Sequence, residues 1–303
     1  MATKMDERLN QEIDHYYNMN HKNRGLAVIF NHEEFDDSDW SVRYGTRVDC
    51  DNLKTTFTAL NFNVRVHEDQ TKSEMKNILQ NVAAEDHSDN DCLVVILLTH
   101  GELLPKNVYN PAYNSAVNEE GNTILSHDLV SYIRTKDTRF ALQKVFKYFT
   151  DKNCFSLANK PRLFFVQACQ GAELDKGVEL HRLIDKEIEM DSSPYKLKPS
   201  ILPHEDFFIA YASLPGFASF RNNVEGSWFI QALCKELNQF KYQYDLMQIM
   251  TLTCQTVAYE FESKSIDPTI DKMKQMPYTQ SMLTKLVLFK EKQLLSKLQE
   301  TYL

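Results

Sequence analysis

Six short segments rich in apolar and β-branched residues, separated by helical patterns, most constrain the fold of this 303-residue chain. They are GLAVIF (25–30), NVRVH (63–67), CLVVILLT (92–99), RLFFVQA (162–168), DFFIAYAS (206–213) and KLVLF (285–289). Several are almost continuously apolar, whereas a strand with one exposed face would alternate apolar and polar residues. We therefore expect buried strands in a sheet that helices cover on both faces.

Two segments after residue 225 have the periodicity of amphipathic helices. In residues 226–240 the apolar positions are Phe229, Leu233, Leu237 and Phe240. The next segment repeats the pattern at Leu246, Ile249, Met250, Thr253, Val257 and Phe261. Alternating β and α segments predict an α/β fold, with a six-stranded, mostly parallel twisted sheet and helices on both faces. Ligands of such sheets bind beyond the carboxyl ends of the strands.

Composition argues against several classes of function. The net charge of −8 and the lack of a basic cluster disfavour nucleic acid as a partner. The longest apolar run, residues 92–98, is too short to span a membrane, and the first residues lack the apolar core of a signal peptide. Six scattered cysteines indicate neither a disulfide framework nor a zinc site. We expect a cytoplasmic protein with reduced thiols, no metal and no cofactor.

Two strand-like segments end on residues that can carry chemistry. Residues 92–99 lead into His100 and Gly101, and residues 162–168 lead into Cys169. A thiol becomes a good nucleophile when an imidazole takes its proton, and the same imidazole can return the proton to a leaving amine. The alternative is that Cys169 is a small buried hydrophobe and His100 a loop residue.

The motifs around these residues resemble the caspase family. QACQG (167–171) is similar to the family's nucleophile signature. The other matching segments, in family order, are RYGTRVDCDNL (43–53), THGE (99–102), SFRNNVEGSWFIQAL (219–233) and FESKSIDPTIDKMKQMPYTQSMLTK (261–285). The resemblance covers residues from about Gly25 to Phe289 and implies a caspase-like sheet and a cysteine endopeptidase that cleaves proteins after aspartate.

The resemblance also implies roles for individual residues. Cys169 is the expected nucleophile, His100 the proton carrier, and the backbone N–H groups of Gly101 and Cys169 the oxyanion donors. Arg43, Gln167 and Arg221 match the positions that bind the substrate aspartate. Two guanidinium groups suit that task because each offers several charged donors to a planar carboxylate.

Further pocket positions are less regular. Ala218 and Phe220 stand where effector members have two aromatic residues, which predicts a wider second-position pocket. Asn222 and Trp228 match residues that line the fourth-position pocket. Lys264 either favours an acidic group there or points into solvent.

Family members are made as precursors, so the resemblance implies a division of the chain. The expected parts are a short prosegment (1–22), a large subunit (23–191), a cleavable linker (192–204) and a small subunit (205–303). Asp191, within IEMD and before a serine, is the expected cut site, Asp185 is the weaker candidate, and Asp14 is a candidate trimming site. The short prosegment is typical of effector members, which other family members activate.

An insertion is expected between the catalytic residues. His100 precedes Cys169 by 69 residues, whereas the usual spacing is about 50 residues. Residues 103–122, polar with two prolines, are the expected extra loop. This loop either covers substrate or docks a partner, or it is a tolerated surface insertion.

The partners implied by the resemblance are protein substrates with exposed aspartates, an upstream initiator caspase and inhibitor-of-apoptosis proteins. A homodimer of cleaved protomers is expected, with the two sheets joined through their last strands, here KLVLF. The alternative function is a catalytically silent caspase-like protein that binds and regulates a partner. A nucleotide-binding domain is disfavoured because no phosphate-binding glycine motif follows any strand.

Overall fold

The predicted helix-covered sheet is present and has six strands. The structure, a computed structural model, describes residues 15–105, 129–176 and 205–292. In chain order its elements are β1 (Asn23–Asn31), α1 (Thr46–Ala59), β2 (Asn63–Glu68), α2 (Lys72–Ala84), β3 (Asn90–Leu98), β4 (Gly101–Pro105), β5 (Leu129–Arg134), β6 (Arg139–Ala141), α3 (Leu142–Lys147), a 3₁₀ turn (Phe155–Leu157), β7 (Arg162–Gln167), β8 (Phe207–Tyr211), β9 (Arg221–Asn222), β10 (Gly226–Ser227), α4 (Trp228–Phe240), α5 (Leu246–Glu260) and β11 (Tyr278–Ser281).

The main sheet has the strand order β11-β8-β7-β3-β1-β2. All neighbouring pairs are parallel except β8 with β11, which is antiparallel. The prediction of a mostly parallel sheet is therefore confirmed. Strands β3 and β7 are neighbours, with Leu98 opposite Gln167. This pairing places the residues that follow both strands at one edge.

Helices cover both faces of the sheet, which explains the continuous apolar strands. Along β3, Val94 and Ile96 belong to the cluster that contains Phe57 of α1 and Leu233 of α4. The intervening residues of β3 belong to the opposite cluster, which contains side chains of α2 and α3. Both faces of β3 are thus buried, so successive positions of the strand all need apolar side chains.

The KLVLF segment was predicted to be the sixth strand of the sheet, and this prediction is wrong. Its Leu286 forms a single parallel bridge with Tyr16, while Val287 and Phe289 are buried in the core. The sixth strand is β11, whose sequence YTQS is polar because this strand lies at the sheet edge. The apolar pattern of KLVLF correctly predicts burial, but burial alone does not specify pairing with the sheet.

A buried carboxylate joins the two ends of the described chain at the amino end of the sheet. Asp91 is fully buried, with its Oδ2 2.7 Å from Nη1 of Arg24 and 2.6 Å from Nζ of Lys292. Its Oδ1 accepts a hydrogen bond from the backbone N–H of His21 at 2.9 Å. Lys292 also donates to the carbonyl of His21, so residues from three parts of the chain meet at one carboxylate.

Three structural features bear on the exclusions made from composition. Within residues 15–105, 129–176 and 205–292, no helix is long and apolar enough to cross a membrane. In the same ranges, no group of three or more His, Cys, Asp or Glu side chains is placed to hold a metal ion. The six cysteines are all free thiols.

We predict that Asp91→Asn lowers the free energy of unfolding by about 3 to 5 kcal/mol, because it leaves two largely buried cations without their shared carboxylate. Urea unfolding followed by circular dichroism measures the change. The control is Glu85→Gln, since Glu85 pairs with Arg65 at the surface and the two side chains are 38% and 40% exposed. The control should lose about 1 kcal/mol or less. Equal losses in the two variants would contradict the role assigned to Asp91.

Candidate active site

His100 and Cys169 lie at the carboxyl edge of the sheet, just beyond β3 and β7. The two chain segments are in direct contact at Gly101. A Cβ atom at position 101 would lie 2.3 Å from the carbonyl oxygen of Cys169 and 2.9 Å from the Cβ of Ala168. Only glycine permits this approach, so the residue after the histidine backs onto the residue that carries the thiol.

The imidazole of His100 is oriented by a backbone carbonyl. Its Nε2 lies 2.9 Å from the carbonyl oxygen of Ser41, which can only accept a hydrogen bond. Nε2 therefore carries the proton of the neutral ring, and Nδ1 is the basic nitrogen. The sequence did not point to Ser41, because any residue type can supply a carbonyl.

Burial lowers the pKa of His100 to about 4. The positive charges of Arg43, Arg221 and Arg134 act in the same direction, while the hydrogen bond to Ser41 opposes them. The ring is neutral at any pH well above that value, and a neutral ring is the form that can accept a proton.

The thiol of Cys169 is half-buried and contacts Ser219. The backbone N–H of Ser219 donates to Sγ at 3.4 Å, and the hydroxyl oxygen of Ser219 is 3.6 Å from Sγ. Among the described residues, Sγ makes no hydrogen bond to His100. The structure thus brings thiol and imidazole to one edge without joining them directly. Catalytic hydrogen bonds commonly tighten only with substrate in place.

Arg43 is a buried cation that lacks a carboxylate partner within the described residues. It is 1% exposed, and its Nη1 donates to the carbonyl of His32 at 2.9 Å and to the hydroxyl of Thr46 at 2.7 Å. Its Nε is buried without an acceptor. Burial, together with the nearby charge of Arg221, lowers the pKa of Arg43 to about 9, so the group is still charged at neutral pH.

Arg221 and Gln167 lie in the same region as Arg43. Nε of Arg221 donates to the carbonyl of Tyr44, the residue next to Arg43, at 2.8 Å. Gln167 is buried and its amide nitrogen donates to the hydroxyl of Ser219 at 3.1 Å, while its Oε1 has no hydrogen-bond partner among the described residues. Arg43 and Arg221 are therefore neighbours, and Gln167 is linked through Ser219 to the segment that precedes Arg221.

A carboxylate that the sequence reasoning missed lies behind the arginines. Asp49 of α1 is fully buried and accepts hydrogen bonds from the N–H and the hydroxyl of Ser227, at 2.7 and 2.6 Å. Burial raises its pKa, and the hydrogen bonds from Ser227 and then the charges of Arg43 and Arg221 oppose that shift. Because Ser227 pairs with Arg221 in the β9–β10 hairpin, Asp49 fixes that hairpin against α1.

The aromatic residues form a stack beside this region. Phe220 lies 4.7 Å from Trp228, and Trp228 lies 5.6 Å from Phe261, as measured between ring centroids. Asn222 is exposed, and its side-chain oxygen accepts hydrogen bonds from two backbone N–H groups of its own turn. Lys264 is exposed as well. The assignment of these residues to substrate pockets stays a prediction.

Several predicted features lie outside the described residues. These are Asp14, Asp191, the greater part of the 103–122 insertion and the linker 192–204.

Comparisons with known proteins agree with the motifs. The family model described as "Caspase domain" matches residues 24–288. Caspase drICE of Drosophila melanogaster is 40% identical over 279 residues, which is 92% of this chain and 73% of that protein. Caspase-1 of Spodoptera frugiperda is 42% identical over 92% of this chain and 82% of its own length. A crystal structure of that Spodoptera protein matches with a TM-score of 0.75, covering 92% of this chain and 95% of the other.

We predict that iodoacetamide at pH 7 modifies Cys169 before any other thiol. Burial raises the pKa of Cys50 to about 11 and that of Cys92 and Cys234 to about 12, which leaves them unreactive. Burial also raises the pKa of Cys254, which is the matched control because it is half-buried like Cys169. Peptide mass mapping over time measures the order. Equal rates at Cys169 and Cys254 would contradict an activated Cys169.

Proposed function

Because the chain belongs to the caspase family of cysteine endopeptidases, we propose that Cys169 is its nucleophile and His100 its general base. Nδ1 of His100 takes the thiol proton as Sγ attacks the main-chain carbonyl carbon of a substrate aspartate. The C–N bond then breaks, and His100 gives the proton to the leaving amine. Water, deprotonated by the same imidazole, hydrolyses the thioester and releases the thiol.

The oxyanion of each tetrahedral intermediate needs donors close to Cys169. We propose the backbone N–H groups of Gly101 and Cys169 for this role. The absence of a side chain at Gly101, which lets the two segments touch, supports this assignment. Donors of this kind need no reorientation during the reaction, and removing one typically costs about 10² to 10³ in rate.

The protein cleaves its substrates after aspartate and is an effector caspase that acts in apoptosis. The observation that carries the proposed pocket is the buried charge of Arg43, which has no carboxylate partner among the described residues. A buried cation that forms no ion pair is costly, so a substrate carboxylate placed beside Arg43 and Arg221 is strongly stabilised. Gln167, with its buried amide, is the third proposed contact.

Phe220, Asn222 and Trp228 are proposed to line the pockets that hold the residues before the aspartate. Their support is positional, since all three flank Arg221 in the β9–β10 hairpin or the helix start that follows it. Phe220 and Trp228 are stacked, so they offer an apolar wall to a substrate side chain.

We propose that the precursor is cut after Asp191, between a large subunit (23–191) and a small subunit (205–303), with the linker 192–204 between them and Asp14 as the trimming site of the prosegment 1–22. An initiator caspase would make the first cut, inhibitor-of-apoptosis proteins would bind the active site, and the enzyme would act in the cytoplasm. The family acts on proteins and assembles as dimers. We assign the dimer contact to β11, one of the two outer strands of the described main sheet, in place of KLVLF.

The first prediction for this function concerns the substrate aspartate. Tetrapeptide reporters that differ only in ending with Asp or Asn should differ in kcat/KM by about 10⁴, because an amide leaves buried cationic donors without a charge partner. Fluorogenic release measures both rates. Cys169→Ala should abolish release, and Cys254→Ala should retain it. If protein already cut after Asp191 cleaves neither reporter, the partner-binding alternative is favoured. Equal cleavage of both reporters would contradict the proposal that the arginines select aspartate.

The second prediction concerns activation. Asp191→Ala should prevent conversion of the precursor into two fragments when a trace of active wild-type enzyme is added, because the only change is loss of the cut-site carboxylate. Gel electrophoresis and intact mass measure the products. Asp185→Ala, at the other aspartate of the segment that precedes the linker, is the control and should be cut normally. Normal processing of Asp191→Ala with blocked processing of Asp185→Ala would reassign the site.

A further inference from the structure

The loop between β1 and α1 packs two aromatic rings against the imidazole of His100. The ring centroid of Phe35 lies 5.0 Å from that of His100, and the centroid of the Trp40 ring lies 5.2 Å away. The planes of the two rings are tilted by 42° and 47° from the imidazole plane. The next residue after Trp40 is Ser41, whose carbonyl holds Nε2 of His100. One loop thus supplies both the walls and the hydrogen-bond acceptor of the histidine.

Trp40 is in turn held by a cation from a different element. Cζ of Arg134, the last residue of β5, lies 4.2 Å from the Trp40 ring centroid, which is a close cation–π contact. The Arg134 side chain is only 9% exposed, so water competes little with this contact. Its Nη2 lies 3.2 Å from Oδ2 of Asp37, in the same loop as Trp40.

The backbone brings Arg134 beside His100 as well. The N–H of Arg134 donates to the carbonyl of His100 at 2.9 Å, and the hydroxyl of Thr99 donates to the carbonyl of Arg134 at 2.6 Å. Arg134 therefore contacts the histidine through the main chain and reaches it again through Trp40. No catalytic step described above uses either residue.

We propose that Trp40 and Arg134 are positioning residues for catalysis, which hold the Ser41 carbonyl and the His100 ring in place and keep water from the ring. This proposal rests on His100 being the general base. Trp40 blocks solvent from one side of the imidazole, and Arg134 fixes Trp40 while adding a positive charge nearby. Both effects favour the neutral ring, in line with the lowered pKa of His100.

The charged and titratable groups around His100 come from every element that packs near it. They are Asp37 and Arg43 in the loop after β1, Glu102 in β4, Arg134 in β5, Arg139 in β6, Cys169 after β7 and Arg221 in β9. Arg134 lies 3.2 Å from Asp37 and 3.5 Å from Glu102, and Arg139 also pairs with Glu102, at 2.8 Å. Loss of Arg134 would therefore change the charge balance at the ring toward the protonated form.

The first test separates positioning of His100 from substrate binding. We expect Trp40→Ala to lower kcat about tenfold, a fraction of what general base catalysis contributes, with little change in KM for the aspartate reporter. The acidic limb of the pH profile should move up by about one pH unit as water reaches the ring. Trp40→Phe keeps an aromatic wall and should restore most of kcat. Tyr244→Ala, which removes a ring stacked on Phe240 away from the site, should behave like wild type.

An unchanged kcat with a raised KM in Trp40→Ala would overturn the proposal, because the loop would then act through Arg43 and the substrate pocket. The same conclusion follows if Trp40→Ala and Tyr244→Ala lose activity equally. Melting temperatures of all variants are measured in parallel, and Trp40→Phe supplies the comparison if Trp40→Ala does not fold.

The second test needs no catalysis. The chain has two tryptophans, so a protein with Cys169→Ala and Trp228→Phe reports on Trp40 alone. A protonated imidazolium quenches a neighbouring indole, and acid titration of the fluorescence should therefore show a transition well below the usual histidine pKa of about 6.5. Adding His100→Gln should remove that transition. Adding Arg134→Gln should move it to higher pH, whereas the control Lys235→Gln, which removes an exposed cation that pairs with Glu260 between α4 and α5, should not.

The two tests distinguish failure of this proposal from failure of the proposed function. If Arg134→Gln does not shift the fluorescence transition, while the wild-type enzyme cleaves the aspartate reporter, the positioning role is wrong and the proposed function stands. If Arg134→Gln does shift the transition, while the wild-type enzyme cleaves no reporter, the contact is supported and the proposed function is wrong.

Discussion

Parallel pairing of β3 with β7 is the constraint on which the active site depends. Since Leu98 lies opposite Gln167, each strand ends within two residues of a chemically active side chain at the same edge. The pairing requires both strands to be buried on both faces, which in turn requires the helices of both layers. Gly101 completes the arrangement by allowing the two segments to touch. The register of the sheet thus brings His100 and Cys169 to the same edge, and the loops then orient their side chains.

Electrostatics at this edge are unusual because positive charge is buried before any substrate arrives. Arg43 is almost fully buried and Arg221 is half-buried. The buried carboxylate of Asp49 accepts hydrogen bonds from Ser227 and interacts electrostatically with both arginines. Asp49 and Glu33 act on both guanidinium groups, but neither forms an ion pair with them among the described residues, so a substrate carboxylate can still bind there. Burial is the largest cause of the lowered pKa of His100, and the charges of Arg43 and Arg221 add to it. The two arginines that are proposed to recognise an acidic residue therefore also favour the neutral imidazole.

The sequence predicted the residues whose chemistry is visible in their type and in their place at strand ends. His100 and Cys169 belong to this group, together with the continuous apolar strands that position them, whereas Arg43 and Arg221 were predicted from the resemblance of the motifs alone. It could not predict Ser41, which acts through its carbonyl, or Trp40, whose contact with Arg134 joins elements far apart in the chain. The edge strand β11 was missed for a different reason. Its polar sequence satisfies an exposed edge, while the more apolar KLVLF fills the core without joining the sheet.

The carboxylate of Asp91 lies at the end of the sheet opposite to the catalytic edge and holds Arg24 and Lys292 together. A second contact, from the hydroxyl of Tyr17 to Asp206 at 2.6 Å, ties the start of the described chain to the residues just before β8. Both contacts bridge the parts of the chain on either side of the proposed cut. A peptide bond broken between those parts would leave both contacts in place, so the fragments would stay together at high effective concentration. The cut would therefore break the covalent connection between the two parts of the chain, while the noncovalent contacts at the amino end of the sheet would still resist their separation.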